Sequence, residues 1–360
     1  QRILSFKNAL EKVLESEKLF VNVDLIEVSE IALGVEFPNL ICVDLDKTLM
    51  LSLPNIITVN VIEKYGFIAL YNDSGVLSNK VVTVINVKPS DVIVNGYRQM
   101  IEARLMDALH AWRYSMSVDV EALEGRLSKM LFYNSLGTVA EKIHRITVLA
   151  KYLTIWIPHV NIIEVEKAAR LSKLDLTMEI VNEFPSLQGE IGAIYAKNNG
   201  ASDLVSDAIR EHYLPHGMSG PMPMTAEGIT LSIADKLDTI VGFFIINKIP
   251  TSSQDPLGLR RAVLSIIRTT IHHNIDVPFS IVVYKAIQNY PRSLYKTRFH
   301  TKIIETIALI AHKKHDSEES HSNDISYIRK SVIEFFKERF ISVISSEYSI
   351  SSDIALSVLN

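Results

Sequence analysis

The chain has 360 residues and a formal net charge of −4 at pH 7, from 37 Lys and Arg against 41 Asp and Glu. This near balance excludes a histone-like, wholly basic nucleic-acid binder but is compatible with a local basic patch. Hydrophobic residues make up 48% and charged residues 22%, a globular composition that excludes disorder over most of the chain. The length predicts two or three domains.

Cysteine content and the length of apolar runs indicate the cellular location of the protein. Cys42 is the only cysteine, so neither an intrachain disulfide nor a cysteine-based zinc site can form. A single thiol is typical of the reducing cytoplasm. All apolar runs are far shorter than the ~20 residues that span a bilayer. We therefore expect a cytoplasmic protein without a membrane segment, and the start at Gln1-Arg2 indicates a piece of a longer protein.

The first 88 residues combine helical and strand patterns. Apolar residues recur at helical spacing over 3–18, and 24–34 predict a second helix. The β-branched segment 56–61 predicts a strand, and residues 67–71 and 76–86 flank an Asn-Asp-Ser-Gly turn that predicts a hairpin. We expect an α+β domain here.

Helical patterning takes over near residue 90. Ser90 or Asp91 can cap a helix, and no convincing strand follows. Helices are predicted for 140–157 and 225–246. A further helix is predicted to end at Asn199-Gly200, and the next is predicted to begin after a cap at Ser202. A Pro- and Gly-rich loop is predicted at 214–224.

The predicted fold class is therefore mainly α with an N-terminal α+β domain. The predicted domains are an α+β domain at 1–88 with a helical extension at 89–131, a helical domain at 132–312, a linker at 313–323 and a further helical segment at 324–360. The linker is predicted because residues 313–323 contain no apolar side chain.

Four groups of motifs carry a family resemblance. They are Leu-Gly-Thr-Val-Ala-Glu-Lys at 136–142, Lys-Leu-Asp-Leu at 173–176 with Glu-Phe-Pro-Ser-Leu-Gln-Gly-Glu-Ile-Gly at 183–192, Glu-His-Tyr-Leu-Pro at 211–215 with Ala-Asp-Lys-Leu-Asp at 234–238, and Pro-Thr-Ser at 250–252 with Asp-Pro-Leu-Gly-Leu-Arg-Arg at 255–261. In order and spacing they closely resemble the beta subunits of bacterial heterotetrameric glycyl-tRNA synthetases, from about residue 25 to 360.

The resemblance implies an α₂β₂ enzyme that joins glycine to tRNA(Gly) with ATP and Mg²⁺, on an alpha subunit with a class II catalytic core. This chain would hold tRNA and bind no cofactor itself. The α+β domain would resemble one in phenylalanyl-tRNA synthetase beta subunits, and the central domain would be HD-like. Residues 324–360 would be the truncated start of a C-terminal anticodon-binding domain.

An HD-like domain raises the alternative of a metal-dependent nucleotide phosphohydrolase. Such enzymes bind metal through several His and Asp side chains. Here Asp175, His212 and Asp235 fall near such positions, but Lys173 stands where a ligand is expected and would repel the metal. We expect no metal site, and a plainer interpretation of His212 is a half-buried residue hydrogen-bonded near the core.

The remaining motif residues each have two interpretations. Asp235, Asp238 and Gly242 share one helix face, which either meets tRNA or the alpha subunit or forms a helix–helix contact. Asp255 is predicted to cap a helix that starts at Pro256, with Arg260 and Arg261 on its second turn.

Basic side chains supply the candidate tRNA contacts. Arg260 and Arg261 either contact phosphate or make structural salt bridges, and the basic-aromatic segment 290–302 is either a nucleic-acid surface or a solvated helix start. The full candidate tRNA set is Arg260, Arg261, Lys236, Arg292, Lys296 and Arg298. The candidate structural or interface set is Asp175, Glu183, Gln188, His212, Asp235, Asp238 and Asp255.

No catalytic residue is predicted in this chain. It has no phosphate-binding Gly-rich loop of the P-loop or dinucleotide type, and no nucleophile with a paired base stands out. We expect an auxiliary subunit of a glycine–tRNA ligase. The alternatives are the phosphohydrolase and a stand-alone tRNA-binding scaffold.

Overall fold

The computed structural model describes residues 2–21, 39–217, 220–250, 255–294, 317–348, 350–351 and 354. The chain folds into two compact units. Unit 1 comprises Gln1–Asp119 and Met178–Leu187, and unit 2 comprises Val120–Thr177 and Gln188–Asn360. The described residues are mostly helical with a small antiparallel sheet near the N-terminus, which confirms the predicted fold class at this level.

Unit 1 places helices on both faces of a four-stranded sheet. Its elements are α1 (Arg2–Glu17), β1 (Phe20–Val21), β2 (Asn39–Asp44), α2 (Lys47–Leu51), α3 (Asn55–Lys64), β3 (Phe67–Tyr71), β4 (Leu77–Ile85), α4 (Asp91–Ser117) and α8 (Glu179–Glu183). The antiparallel strand order is β1-β3-β4-β2. Phe6 and Leu10 of α1 pack against Ile68, Leu70 and Val82 of the sheet.

The predicted hairpin at 67–86 is confirmed. Asn72 closes the turn, because its side-chain oxygen accepts hydrogen bonds from the backbone N–H groups of Ser74 (3.0 Å) and Val76 (2.9 Å). The helix predicted for 3–18 is confirmed as α1, and Ser90 caps α4 as expected. The helix predicted for 24–34 lies outside the described residues.

The strand predicted at 56–61 is wrong, because this segment forms α3. Its buried residues Ile57, Thr58, Val61 and Ile62 lie at helical spacing, whereas a strand would bury alternate positions. Burial of this face outweighs the weak preference of β-branched residues for strands.

Unit 2 is a helical body around one continuous core. Its elements are α5 (Val120–Leu127), β5 (Leu131–Tyr133), β6 (Gly137–Thr138), α6 (Val139–Leu153), α7 (Ile162–Leu171), α9 (Glu190–Asn198), α10 (Asp203–Glu211), α11 (Ala226–Ile245), α12 (Leu259–His272), α13 (Phe279–Gln288) and α14 (Ser317–Glu347). Helix α11 is buried along nearly its whole length. The side chains of Thr138, Ser202 and Thr225 cap α6, α10 and α11. The predicted cap at Ser202 and the helix predicted from residue 225 are therefore confirmed.

Two parts of unit 2 differ from the sequence-based expectation. Strands β5 and β6 form a short hairpin after residue 90, where none was predicted, because Gly137 at φ +83° permits the reversal in so few residues. Helix α14 begins at Ser317, so residues 317–323 of the predicted linker are helical, while 313–316 lie outside the described residues. Polar residues such as Ser and Glu favour helix starts, which explains this extension.

Helix α14 belongs to unit 2. Ile328, Val332, Phe335 and Phe336 lie at helical spacing and pack into the unit 2 core. The structure groups this helix with unit 2, and the predicted domain start at residue 324 stays a prediction.

Candidate functional site

A group of buried ionisable side chains lies within unit 2. This buried ionic cluster consists of Lys142 and Arg145 on α6, Lys173 after α7, His212 after α10, and Asp235 and Asp238 on α11. Every one of its side chains is buried. Charges in such an environment require close partners, because the interior solvates them poorly.

Asp238 anchors one end of the cluster. Its carboxylate accepts from Nε of Arg145 at 2.9 Å and from Nζ of Lys142 at 3.4 Å. Tyr290 donates its hydroxyl to the Asp238 backbone carbonyl at 2.8 Å, and the Arg145 guanidinium lies 4.2 Å from the Tyr290 ring centre. These contacts tie α6, α11 and the end of α13 together.

Asp235 lies between two ammonium groups. Oδ1 is 2.8 Å from Nζ of Lys142, and Oδ2 accepts from Nζ of Lys173 at 2.7 Å. Burial by itself would raise the pKa of Asp235, but the two lysines hold it well below its ordinary value. The carboxyl group is therefore ionised at neutral pH.

His212 completes the cluster as a neutral ring. Burial, reinforced by the Lys173 charge, lowers its pKa well below the ordinary value. Nε2 accepts from the Lys173 ammonium at 2.7 Å, so Nδ1 carries the proton and donates to the Ile209 carbonyl at 2.6 Å. Lys173 also lies 3.9 Å from the ring centre of Tyr213.

Asp175 lies in the same buried region but hydrogen-bonds to a backbone N–H group. Its Oδ2 accepts from the Gly189 backbone N–H at 2.7 Å, and its Oδ1 has no hydrogen-bond partner among the described residues. Burial raises its pKa to about 6 despite that N–H group and the Lys173 charge. Gly192 leaves room for the carboxyl group, since a Cβ there would lie 3.1 Å from Oδ2.

These residues do not fit a metal ion. Within the part of the chain that the structure describes, no three His, Cys, Asp or Glu side chains are arranged to hold one. The Lys173 ammonium lies directly between His212 and Asp235, the two groups that would be ligands. The phosphohydrolase alternative is not supported, because a buried cation at this point opposes a divalent ion.

The face of α11 with Asp235, Asp238 and Gly242 lies in a helix–helix contact. A Cβ on Gly242 would meet the Tyr290 hydroxyl and would lie 3.1 Å from Leu136 Cδ1. This close packing favours the helix–helix interpretation of the face.

Glu183 and Gln188 fall on opposite sides of the boundary between the units. Glu183 belongs to unit 1, where its backbone carbonyl accepts from Nζ of Lys64 at 2.9 Å, and Gln188 begins the return of the chain to unit 2.

The Lys236 ammonium forms hydrogen bonds within unit 2. Its ammonium donates to the carbonyls of His212 (3.0 Å) and Leu214 (2.8 Å) and to Oγ of Ser232 (2.7 Å). Burial lowers its pKa to about 7. This geometry favours a structural role over the predicted tRNA contact.

The start of α12 presents the paired arginines differently from the prediction. The helix begins at Leu259, so Arg260 and Arg261 lie on its first turn, and Asp255 caps it by accepting from the N–H groups of Leu259 (2.8 Å) and Arg260 (3.0 Å). The predicted start at Pro256 is wrong, because left-handed Gly258 (φ +67°) delays the helix. Arg261 is exposed and makes no ion pair with a described residue, whereas Arg260 is half-buried.

The other predicted tRNA contacts are only partly described. Arg292 is exposed just after α13. Lys296 and Arg298 lie outside the described residues.

Lys142 and Arg145 were not predicted from the sequence as site residues. Both lie among the buried apolar residues of α6, where Val139, Ile143 and Ile146 recur at helical spacing. A charged residue on the apolar stripe of an amphipathic helix indicates a buried partner, and that pattern could have identified both.

No helix among the described residues is long and apolar enough to cross a membrane.

The fold and the site together define a class of protein: a mainly helical one in which buried ion pairs link the central helices. The family model for the glycyl-tRNA synthetase beta subunit matches residues 1–360, and the chain belongs to that family.

Curated relatives agree with this family. The chain is 36% identical over 252 residues to the glycine–tRNA ligase beta subunit of Lawsonia intracellularis, covering 69% of this chain and 36% of that protein. It is 31% identical over 305 residues to the beta subunit of Rickettsia typhi, covering 84% and 44%. The matches to these relatives thus cover less than half of their length.

Proposed function

We propose that this chain is part of a glycine–tRNA ligase, in which it binds and positions tRNA(Gly) for ATP-dependent glycylation with a catalytic alpha subunit. The observation that carries this proposal is the family match over residues 1–360. The buried ionic cluster supports an auxiliary role, because its charges are paired internally and do not surround a substrate. ATP and Mg²⁺ are then used by the α₂β₂ complex, and this chain binds no cofactor of its own.

The finer architecture follows from the same family. We infer that the helical part of unit 2 is HD-like, that residues 324–360 begin an anticodon-binding domain, and that the enzyme works in the cytoplasm. The largely helical structure of unit 2 supports the first inference.

The tRNA-binding surface of unit 2 includes the start of α12. Arg261 is exposed there, and its guanidinium folds toward Gly258, within 3.2 Å of where a Cβ would lie. A guanidinium without an acidic partner can donate hydrogen bonds to two phosphate oxygens. Arg292, which is also exposed, is a second contact of this kind.

Aminoacylation tests the overall function. The full-length beta subunit mixed with its alpha partner is expected to charge tRNA(Gly) with glycine, and neither subunit alone is expected to do so. Co-purification of the two subunits separates this function from that of a stand-alone tRNA-binding scaffold. A beta subunit that neither co-purifies with the alpha subunit nor restores its charging activity would contradict the proposal.

Arginine substitutions test the tRNA surface in the assembled enzyme. Arg261→Ala is expected to weaken tRNA binding by about ten- to a hundredfold, with a smaller effect at higher salt. Arg261→Lys is expected to recover only part of the affinity, because it keeps the charge but loses the guanidinium fork. The control is Lys197→Ala, since Lys197 is exposed but already paired with Asp203 at 2.6 Å.

Thermal unfolding separates tRNA contact from a structural role. A structural role for Arg260 or Arg261 predicts a lower Tm and unchanged tRNA affinity for the folded variant. If both alanine variants behave in that way, the contact at this helix start is ruled out.

A further inference from the structure

Two metal-ligand groups of the buried ionic cluster converge on a single ammonium. Nζ of Lys173 is 2.7 Å from Nε2 of His212 and 2.7 Å from Oδ2 of Asp235. All three side chains are almost fully buried, with exposures of 4%, 0% and 8%. A neutral imidazole nitrogen and a carboxylate oxygen are typical ligands of divalent transition metals.

We propose that the Lys173 ammonium is a built-in cation that takes the place of a divalent metal ion between His212 and Asp235. It bridges the same two groups that a metal would join, but it is covalently part of the chain. Lys142 lies 2.8 Å from the other oxygen of Asp235, so two ammonium groups flank this carboxylate and together match the charge of a divalent ion. The cluster is thus stable without metal and insensitive to chelators.

Surrounding contacts fit a structural cation. The ammonium lies 3.9 Å from the ring centre of Tyr213, and such a cation–ring contact is most favourable when the cation is desolvated. Asp175, whose Oδ1 has no hydrogen-bond partner among the described residues, interacts electrostatically with Lys173. Removal of the Lys173 ammonium therefore leaves the His212 imidazole and the carboxyl groups of Asp175 and Asp235 buried without this cation.

Metal-dependent thermal unfolding of the whole chain tests the proposal. Wild-type Tm is expected to be the same in EDTA and in excess Ni²⁺ or Zn²⁺. Lys173→Ala and Lys173→His are expected to melt lower in EDTA and to gain about 4 °C or more with one of these ions. Adding His212→Ala to Lys173→His is expected to abolish that gain. Lys197→Ala, an exposed lysine change, is the control and is expected to show no metal response.

Three results would overturn the proposal: a wild-type Tm that falls in EDTA, a Lys173→Ala variant as stable as wild type, or Lys173 variants that no divalent ion stabilises. If a variant does not fold, its refolding from denaturant is followed by circular dichroism with Ni²⁺, with Zn²⁺ and with EDTA. Recovery with a metal ion supports the proposal, and failure with every ion overturns it. None of these readouts depends on tRNA binding.

Discussion

Asp238 illustrates how a single residue of unit 2 carries a buried charge. Its exposure is only 1%, and its carboxylate lies within hydrogen-bond distance of Arg145 and Lys142. Loss of one partner of a buried pair leaves an uncompensated charge, whereas replacement of both by apolar groups of similar size is often neutral. The two kinds of substitution therefore have very different consequences.

Arg145→Ala is expected to lower the free energy of unfolding by about 3–5 kcal/mol, since it leaves Asp238 without its guanidinium partner. The double replacement Arg145→Met with Asp238→Leu is expected to recover most of that loss. Urea denaturation measures both.

The exposed pair Lys151–Glu166, at 2.8 Å, supplies the comparison for Arg145. Lys151→Ala is expected to cost no more than about 1 kcal/mol, because exposed ion pairs contribute little. Equal costs for Arg145→Ala and Lys151→Ala would show that the buried ionic cluster is not a stabilising unit.

Asp175 makes stability depend on pH. Its pKa in the folded chain is about 6, above the ordinary 3.8. Its favourable contribution to the free energy of unfolding is therefore complete below pH 3.8 and is lost as the pH rises through about 6. Asp175→Asn stays neutral and can still accept from Gly189. Relative to wild type, the Tm of the variant is therefore expected to rise between pH 4 and 7. The corresponding gain in the free energy of unfolding is up to about 3 kcal/mol.

Asp203→Asn is the matched control for the pH experiment. Lys197 holds the pKa of exposed Asp203 below its ordinary value, so the wild-type pair contributes at neutral pH and loses that contribution in acid. The Tm difference for this variant should change with pH in the opposite direction. A pH-independent difference for Asp175→Asn would contradict a raised Asp175 pKa.

At the scale of elements, close approach of α11 and the end of α13 requires Gly242. A Cβ there would meet the Tyr290 hydroxyl, with Cζ at 2.9 Å and Leu136 Cδ1 at 3.1 Å. Gly242→Ala is expected to destabilise the chain by about 1–3 kcal/mol through overpacking, measured by denaturant unfolding. Tyr290→Phe in the same chain removes the closest atom and should relieve part of that overpacking.

Gly125 provides the reference for this substitution. It lies exposed within α5, and a Cβ there would have no neighbour within 4 Å. Gly125→Ala is expected to stabilise the chain by about 0.5–1 kcal/mol, because alanine favours helix more than glycine does. Similar effects of the two substitutions would mean that Gly242 is not a packing constraint.

At the scale of the whole molecule, the proposed division of labour predicts that this chain makes no glycyl-adenylate by itself. The sequence has no Gly-rich loop of the P-loop or dinucleotide type. Incubation with ATP, glycine and labelled pyrophosphate should give no exchange above a blank without protein, whereas the full-length beta subunit with its alpha partner should give exchange. Exchange by the chain alone would contradict the proposal.

The family and the starts of α4, α10 and α11 could be predicted from the sequence, because motifs and caps are local. Ser90, Ser202 and Thr225 each accept from a backbone N–H at most three residues onward, so their roles depend on neighbours in the chain. The hairpin at 67–86 followed from its turn residues for the same reason.

Only the tertiary structure decided which elements and charges are buried together. Residues 55–64 became a helix because one helical face is buried, against their β-branched composition. Lys142 and Lys173 became partners of Asp235 across 93 and 62 residues of chain. No local pattern specifies such pairs, because a buried ion pair depends on where helices distant in sequence meet.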